Sequence, residues 1–100
     1  MSNRVETTEI FDKWFVKLKD INVKAIVRKN IDRMIKGNLG EARFVGDGVF
    51  EKKIDYGAGY RLYFVNKNNS WIILLCGGDK STQKRDIVKA KELKKRWSAC

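Results

Sequence analysis

Apolar residues recur at steps of three and four positions in the first third of the chain, the spacing of one face of an α-helix. A first stripe predicts a helix over residues 7–19, capped by Thr7 or Thr8. A second stripe begins after Asp20, a typical N-cap residue, and ends at Gly37. Two helices with so short a link predict an antiparallel hairpin. The two stripes are formed by Ile10, Phe11, Trp14, Phe15, Leu18 and by Val23, Ile26, Val27, Ile31, Met34, Ile35.

After Gly40 the pattern changes to the alternation of β-strands, and Gly, Asn and Asp mark the turns. Consecutive strands with such short links are antiparallel, because a parallel return needs about a dozen residues or more. Val5 predicts a short additional edge strand. The predicted strands of the main sheet are 41–46, 49–56, 60–66 and 70–76.

A third helical stripe covers residues 83–97, with Ser81 or Thr82 as its predicted cap and mostly Lys and Arg on its other face. Helices grouped on one side of a mostly antiparallel sheet form an α+β sandwich. The sequence therefore predicts a single α+β domain over 1–100: an N-terminal helical hairpin packed on a small, mostly antiparallel sheet, with a C-terminal helix.

The predicted hairpin 49–66 separates its side chains onto two faces. A three-residue loop that pairs Tyr56 with Tyr60 places even-numbered residues opposite each other, so that the apolar ones pack against the helices. A slip of one residue would bury Arg61 and expose Phe64 instead. The face expected to stay open carries Glu51, Lys53, Arg61 and Tyr63.

The last strand is apolar throughout and is predicted to be central and covered. It leads into Gly77 and Gly78, which we expect to form a turn and to allow a close backbone approach. Lys80 and the N–H groups that open the third helix then predict a phosphate contact. The spacing G-x-x-x-x-G-K-[ST] of a Walker loop is absent.

The charge of the chain narrows the class of partner. There are 22 Lys and Arg residues against 12 Asp and Glu, a net charge of +10 at pH 7. Such a field favours polyanions, of which nucleic acid and the ribosome are the commonest, and an acidic protein would also satisfy it. Lys84 and Arg85 begin the basic series of the third helix and are predicted to bind substrate, although a solvated helix face has the same pattern.

The chain contains no histidine, which excludes Ser-His and Cys-His nucleophile pairs and most transition-metal sites. Cys76 and Cys100 have neither zinc-type spacing nor the number needed for a disulfide framework, so a reducing cytoplasm is expected. We expect no metal and no other cofactor. No apolar run reaches the roughly 18–20 residues of a membrane span, and the N-terminus does not have the pattern of a signal peptide, so no membrane partner is expected.

Two blocks of the sequence resemble the RelE/ParE toxin superfamily. The first, residues 48–64, reads GVFEKKIDYGAGYRLYF. The second, residues 74–83, reads LLCGGDKSTQ and is followed by Asp86, Ile87 and Ala90. This second block looks like the addiction-module killer proteins close to HigB and the phage Gp49-like toxins, and the likeness covers residues 7–97.

The resemblance implies a RelE-like fold and the toxin of a type II toxin–antitoxin pair, neutralised by a small antitoxin protein that is helix-turn-helix by family analogy. Many members cleave mRNA on the ribosome, without a metal, by driving a ribose 2′-OH onto the adjacent phosphate. The functional positions of the family fall here on Glu51, Lys53, Arg61 and Lys80. Arg61 matches the Gly-Tyr-Arg motif of the family directly.

The chemistry of these side chains agrees with that implication. Glu51 is the candidate base, because a carboxylate is the ordinary proton acceptor on this face at neutral pH. Arg61 would hold the phosphate with its bidentate fork, while Lys80 and Lys53 add positive charge. Tyr63 is predicted to stack on or position a base. Relatives use His or Tyr as the general acid, and no residue is assigned to that step here.

Three functions stay open from the sequence. The first is an endoribonuclease acting on ribosome-associated mRNA. The second is a non-enzymatic DNA gyrase inhibitor of the ParE type, which needs the same fold and basic surface but no acid–base set. The third is an RNA- or ribosome-binding module. A Glu-x-Lys pair beside an Arg is also typical of a cross-strand salt bridge. The convergence of Glu51, Arg61 and Lys80 favours the nuclease.

Overall fold

The computed structural model describes residues 2–98, and the predicted terminal thiol Cys100 lies outside them. Thr8 caps the first helix through its hydroxyl, which accepts from the N–H of Phe11 at 3.0 Å, and the Asp20 carboxylate caps the second by accepting from Asn22 at 2.8 Å. The elements in chain order are β1 (Arg4–Thr7), α1 (Glu9–Lys17), α2 (Ile21–Ile35), β2 (Arg43–Gly46), β3 (Val49–Ile54), β4 (Tyr60–Lys67), β5 (Trp71–Gly78), a 3₁₀ turn (Lys80–Thr82) and α3 (Gln83–Ser98).

The five strands form one sheet in the order β1-β5-β4-β3-β2. The pairs β2–β3, β3–β4 and β4–β5 are antiparallel, as their short connections predict. The predicted edge strand around Val5 is confirmed as β1, which pairs in parallel with β5. The predicted α+β class, with a mostly antiparallel sheet and a C-terminal helix, is confirmed.

One face of the sheet packs against α1 and α2, which both contribute to the same apolar cluster. Phe11 from α1 and Val27 from α2 meet Leu62 and Phe64 from β4 and Leu74 from β5 there. Leu62 and Phe64 belong to the even-numbered set of the hairpin that the sequence assigned to the helical side. The predicted burial of this set against the N-terminal helices is therefore confirmed.

The opposite face is covered by α3, so the expectation that all helices lie on one side is wrong. Ala90 and Leu93 of α3 pack against a second cluster that includes Tyr63, Val65 and Leu75. A connection as short as residues 79–82 lets the chain leave β5 toward either face, and the sequence of α3 does not select one. The apolar odd-numbered residues of β4 and β5 required a cover of their own, and α3 supplies it.

A β-bulge in β5 changes which face its last residues occupy. Tyr63 pairs with Cys76 whereas Phe64 pairs with Leu74, so Leu75 is the extra residue. After the bulge Cys76 packs in the cluster beneath α3. A Cβ on Gly77 would lie 2.4 Å from the Trp14 ring of α1. The two glycines belong to the strand, and the predicted turn at this point is wrong.

A Cβ on Gly78 would lie within 1.9 Å of an Asp86 carboxylate oxygen in α3. After the bulge, Gly77 therefore faces α1 and Gly78 faces α3. Each glycine allows one side chain to come close to the strand: Trp14 of α1 approaches Gly77, and Asp86 of α3 approaches Gly78.

In the β3–β4 hairpin even-numbered residues pair with even-numbered ones, as predicted, but the pairing is shifted by two residues along β3. Ile54 lies opposite Tyr60, so the loop has five residues and β3 ends before Tyr56. The predicted pairing of Tyr56 with Tyr60 is therefore wrong. Gly59 donates its N–H to the Tyr56 carbonyl at 3.1 Å, which closes the loop through its own backbone and leaves the Tyr56 side chain outside the ladder.

Lys52 is a charged residue on the apolar, helix-facing side of β3. It is 8% exposed, and its ammonium donates to the Leu39 carbonyl at 3.0 Å. Burial, and then the nearby Arg33, lower the pKa of Lys52 below its ordinary value. No helix within residues 2–98 is long and apolar enough to span a membrane.

Candidate functional site

The odd-numbered polar residues of the hairpin lie where α3 begins and its cover of the sheet ends. Glu51 in β3 pairs with Tyr63, and Lys53 pairs with Arg61 in β4. The first residue of α3, Gln83, reaches the Glu51 side chain. The predicted site residues of the two strands thus occupy one face, and α3 borders them instead of leaving the whole face open.

Glu51 is a buried carboxylate with nitrogen donors around both of its oxygens, and only 6% of its side chain is exposed. The Arg43 guanidinium donates to Oε1 at 3.2 Å, and Gln83 Nε2 donates to Oε2 at 2.9 Å. The Arg61 Nε lies 3.7 Å from Oε2. Three separate elements, β2, β4 and α3, therefore orient one carboxylate.

Arg61 is the second buried charge of the site, with 7% of its side chain exposed. Its Nη1 donates to the Gly59 carbonyl at 2.6 Å, which fixes the guanidinium against the hairpin loop. Its Nε has no hydrogen-bond partner within residues 2–98. Because a buried N–H group normally finds an acceptor, this donor depends on its ion pair with the Glu51 carboxylate at 3.7 Å.

Two adjoining depressions, of about 490 and 740 Å³, form an open groove above this pair. They share Lys53, Asp55 and Arg61. The Lys53 side chain is 56% exposed, and its ammonium lies 3.3 Å from the Asp55 carboxylate. Lys80, the exposed first residue of the 3₁₀ turn, lines the smaller depression, and Glu51 lines the larger. All four residues predicted as catalytic therefore line one groove.

Tyr63 is not part of the groove, so its predicted contact with a substrate base is wrong. Its side chain is fully buried beneath α3, whose cover the sequence did not assign to this face. Burial, and then the neighbouring Glu51 carboxylate, raise the pKa of the Tyr63 phenol above its ordinary value. A residue in this position supports the floor of the groove from below.

Lys84 and Arg85 line a further depression of about 430 Å³ together with Lys80, at the start of α3. Both are exposed, as their predicted contact with substrate requires. Asp79 caps the 3₁₀ turn that leads into α3. The Asp79 carboxylate accepts from the Ser81 N–H at 2.8 Å. The Ser81 N–H, one of the groups predicted to contact a phosphate, therefore already donates to the Asp79 carboxylate.

Two partners of Glu51 were missed by the sequence analysis. Arg43 lies directly opposite Glu51 in the β2–β3 ladder, and that register was the signal that could have found it. Gln83 depends on the face that α3 takes, for which the sequence has no local signal. Both residues line the groove.

Comparison with known proteins identifies the chain. Residues 13–97 match the family described as phage-derived Gp49-like proteins (DUF891). The chain belongs to this Gp49-like family. It is also 50% identical over 93 residues to an uncharacterized protein of Haemophilus influenzae, which covers 93% of this chain and 94% of that protein.

The fold of this Gp49-like protein is also found in a solved structure. One chain of the crystal structure of the intact E. coli RelBE toxin–antitoxin complex superposes with a TM-score of 0.63. The match covers 78% of this chain and 96% of that chain at 16% sequence identity. The predicted RelE-like fold and Gp49-like membership are thereby confirmed.

Proposed function

We propose that this Gp49-like protein is the toxin of a type II toxin–antitoxin pair and cleaves ribosome-associated mRNA without a metal. The observation that carries the proposal is the convergence, in one groove, of an oriented buried carboxylate and cations from three segments of the chain. Glu51 supplies the carboxylate, while Lys53, Arg61 and Lys80 supply the cations. The fold shared with a chain of a toxin–antitoxin complex supports the first part of the proposal.

Each residue has a distinct task in the proposed reaction. The Glu51 carboxylate accepts the proton of the ribose 2′-OH, and the 2′ oxygen attacks the adjacent phosphorus. The guanidinium of Arg61 and the ammonium groups of Lys53 and Lys80 stabilise the extra negative charge of the pentacoordinate phosphorus. The bond from phosphorus to the 5′ oxygen breaks, leaving a 2′,3′-cyclic phosphate. A lysine ammonium in the groove protonates the departing oxygen, since the chain contains no histidine.

The contacts of Glu51 explain how a base can work inside a ring of donors. Gln83 donates to one of its oxygens and Arg43 to the other, which fixes the orientation of the carboxylate. An entering phosphate competes with Glu51 for the Arg61 guanidinium, because the ion pair between Nε and Glu51 is long, at 3.7 Å. Substrate binding thereby loosens the Arg61–Glu51 pair and frees a carboxylate lone pair for the 2′-OH.

The decisive experiment expresses the protein briefly in cells and maps new mRNA 5′ ends alongside gyrase-linked DNA breaks. New mRNA ends without DNA breaks are expected. Arg61→Ala and Glu51→Gln should each reduce cleavage about 10²- to 10³-fold, since each removes one group that acts in the transition state. Arg28→Ala changes an exposed arginine of α2 outside the groove and serves as the matched control.

Three results would overturn the nuclease. Wild-type cleavage by the Arg61→Ala variant would exclude the proposed site. DNA breaks without new mRNA ends would favour the gyrase inhibitor, and RNA binding without either would favour a binding module. The antitoxin half is tested separately: coexpression of a small, helix-turn-helix protein encoded beside this chain should prevent the new mRNA ends and copurify with the toxin.

A further inference from the structure

Tyr56 is an aromatic residue at the edge of the groove that the proposed reaction does not use. It lies in the five-residue loop between β3 and β4 and lines the smaller depression with Lys53, Arg61 and Lys80. It is 38% exposed, whereas most of the aromatic side chains that the structure describes are buried or half-buried. No other aromatic residue described by the structure lines either depression.

The loop holds Tyr56 in a fixed place. Its N–H donates to the Ile54 carbonyl at 2.9 Å, and its own carbonyl accepts from Gly59 at 3.1 Å. The N–H of Lys80 donates to the Ala58 carbonyl at 3.2 Å, which ties the loop to the segment that carries a groove cation. A platform held by its backbone loses little entropy when a ligand binds.

The neighbours of Tyr56 define which part of a nucleotide fits beside it. The next residues along the loop are two glycines and an alanine, which leave room for a flat group. Asp55 places a carboxylate at this end of the depression, which repels a phosphate, whereas the cations Arg61 and Lys80 attract one. The volume of about 490 Å³ lies within the roughly 300–1,000 Å³ of small-ligand sites.

We propose that Tyr56 stacks on a base of single-stranded RNA next to the phosphate held by Arg61 and Lys80. The proposal rests on the proposed function and adds a binding position to it. Stacking on an aromatic ring tolerates every base, so this contact strengthens binding and sets the reading position of the strand without choosing a sequence. The sequence placed this base-binding contact at Tyr63, which is buried. The proposal assigns it instead to Tyr56, an exposed ring in the same hairpin.

Equilibrium binding of a fluorescent short RNA with 2′-fluoro riboses tests the proposal, because such RNA binds but has no 2′-OH to react. Tyr56→Ala should weaken binding about ten- to a hundredfold, the range of one lost base stack. Tyr56→Phe and Tyr56→Trp keep an aromatic face and should bind within about twofold of the wild type. Phe44→Ala removes an aromatic residue that is 60% exposed on β2, outside the groove, and should bind like the wild type.

Cleavage of unmodified mRNA on ribosomes by the same variants separates stacking from proton transfer. Tyr56→Phe should cleave at the wild-type rate, and a loss equal to that of Tyr56→Ala would show that the hydroxyl is what matters and overturn the stacking. Unchanged RNA binding by Tyr56→Ala, with cleavage intact in the wild type, would also overturn it while leaving the nuclease in place. Absence of cleavage of ribosome-bound mRNA by the wild-type protein would instead refute the proposed function.

Discussion

Gly78→Ala is expected to destabilise the protein through one defined collision. The new methyl group would lie 1.9 Å from Oδ2 and 2.8 Å from Cγ of Asp86, far inside the ordinary contact distance. Asp86 is 7% exposed and accepts a hydrogen bond from the Thr82 hydroxyl, so its short side chain has little room to move. The substitution therefore forces the carboxylate away from its partner or α3 away from the sheet.

The size of the effect follows from these two contacts. Overpacking a dense interior costs about 1–3 kcal/mol, and losing a hydrogen bond to a charged group costs about 1.5–3 kcal/mol. A loss of about 3–5 kcal/mol is expected for both together. In a domain of this length each kcal/mol lowers the melting temperature by roughly 4–8 °C, so a decrease of at least about 12 °C is expected.

A double-mutant cycle with Asp86→Ala measures whether this collision is the cause. Removing the carboxylate should reduce the cost of Gly78→Ala below about 1 kcal/mol, measured by chemical denaturation of all four proteins. Gly77→Ala is the matched control, because its methyl group would meet the Trp14 ring on the other face of the sheet. Asp86→Ala should not relieve it. An equal cost of Gly78→Ala with and without the carboxylate would refute the reasoning.

Three further predictions follow from burial and charge. Tyr63→Phe should change the free energy of unfolding at pH 7 by no more than about 1.5 kcal/mol, because it keeps the buried ring and removes only a hydroxyl beside the Glu51 carboxylate. Above about pH 10 the variant should lose less stability than the wild type. In the wild type the raised pKa keeps the Tyr63 phenol protonated in the folded chain while the phenol ionises in the unfolded chain, which favours unfolding. Burial raises the pKa of Cys76 to about 12, so in a Cys100→Ser background iodoacetamide should label it only as fast as the protein unfolds, and prompt labelling would contradict this. Lys84→Ala and Arg85→Ala should each reduce the salt slope of RNA binding by about 0.7, and an unchanged slope would remove that residue from the interface.

The helices and strands, and the face of the hairpin to which each residue belongs, could be predicted because both depend on short-range patterns. Thr8 and Asp20 are capping residues followed by apolar stripes, and the alternation around Leu62 and Phe64 allows only one set of residues to face the helices. The face taken by α3 depends on a turn of a few residues and on the total apolar area to be covered. Val65, an apolar residue on the face expected to stay open, was the signal that this face needed a second cover.

The sequence could predict which residues form the candidate site, but not how they are arranged. Glu51 and Arg61 share a face by parity alone, so their proximity follows from the strand pattern. Their burial depends on Gln83, which approaches only because α3 crosses that face. The bulge at Leu75 is equally invisible in a continuous apolar strand, although it decides which helix each of the two following glycines meets.

The parallel pairing of β1 with β5 gives the order of synthesis a physical meaning. Arg4 is made almost first, yet its sheet partner Trp71 is made more than sixty residues later, and Lys80 later still. Contacts so distant in sequence form late, because the intervening chain has to close a long loop. A chain whose translation stops early therefore lacks β5, the strand that pairs with both β4 and β1. If the groove is a nuclease site, the nascent chain cannot cleave the mRNA on its own ribosome until the last part of that mRNA has been translated.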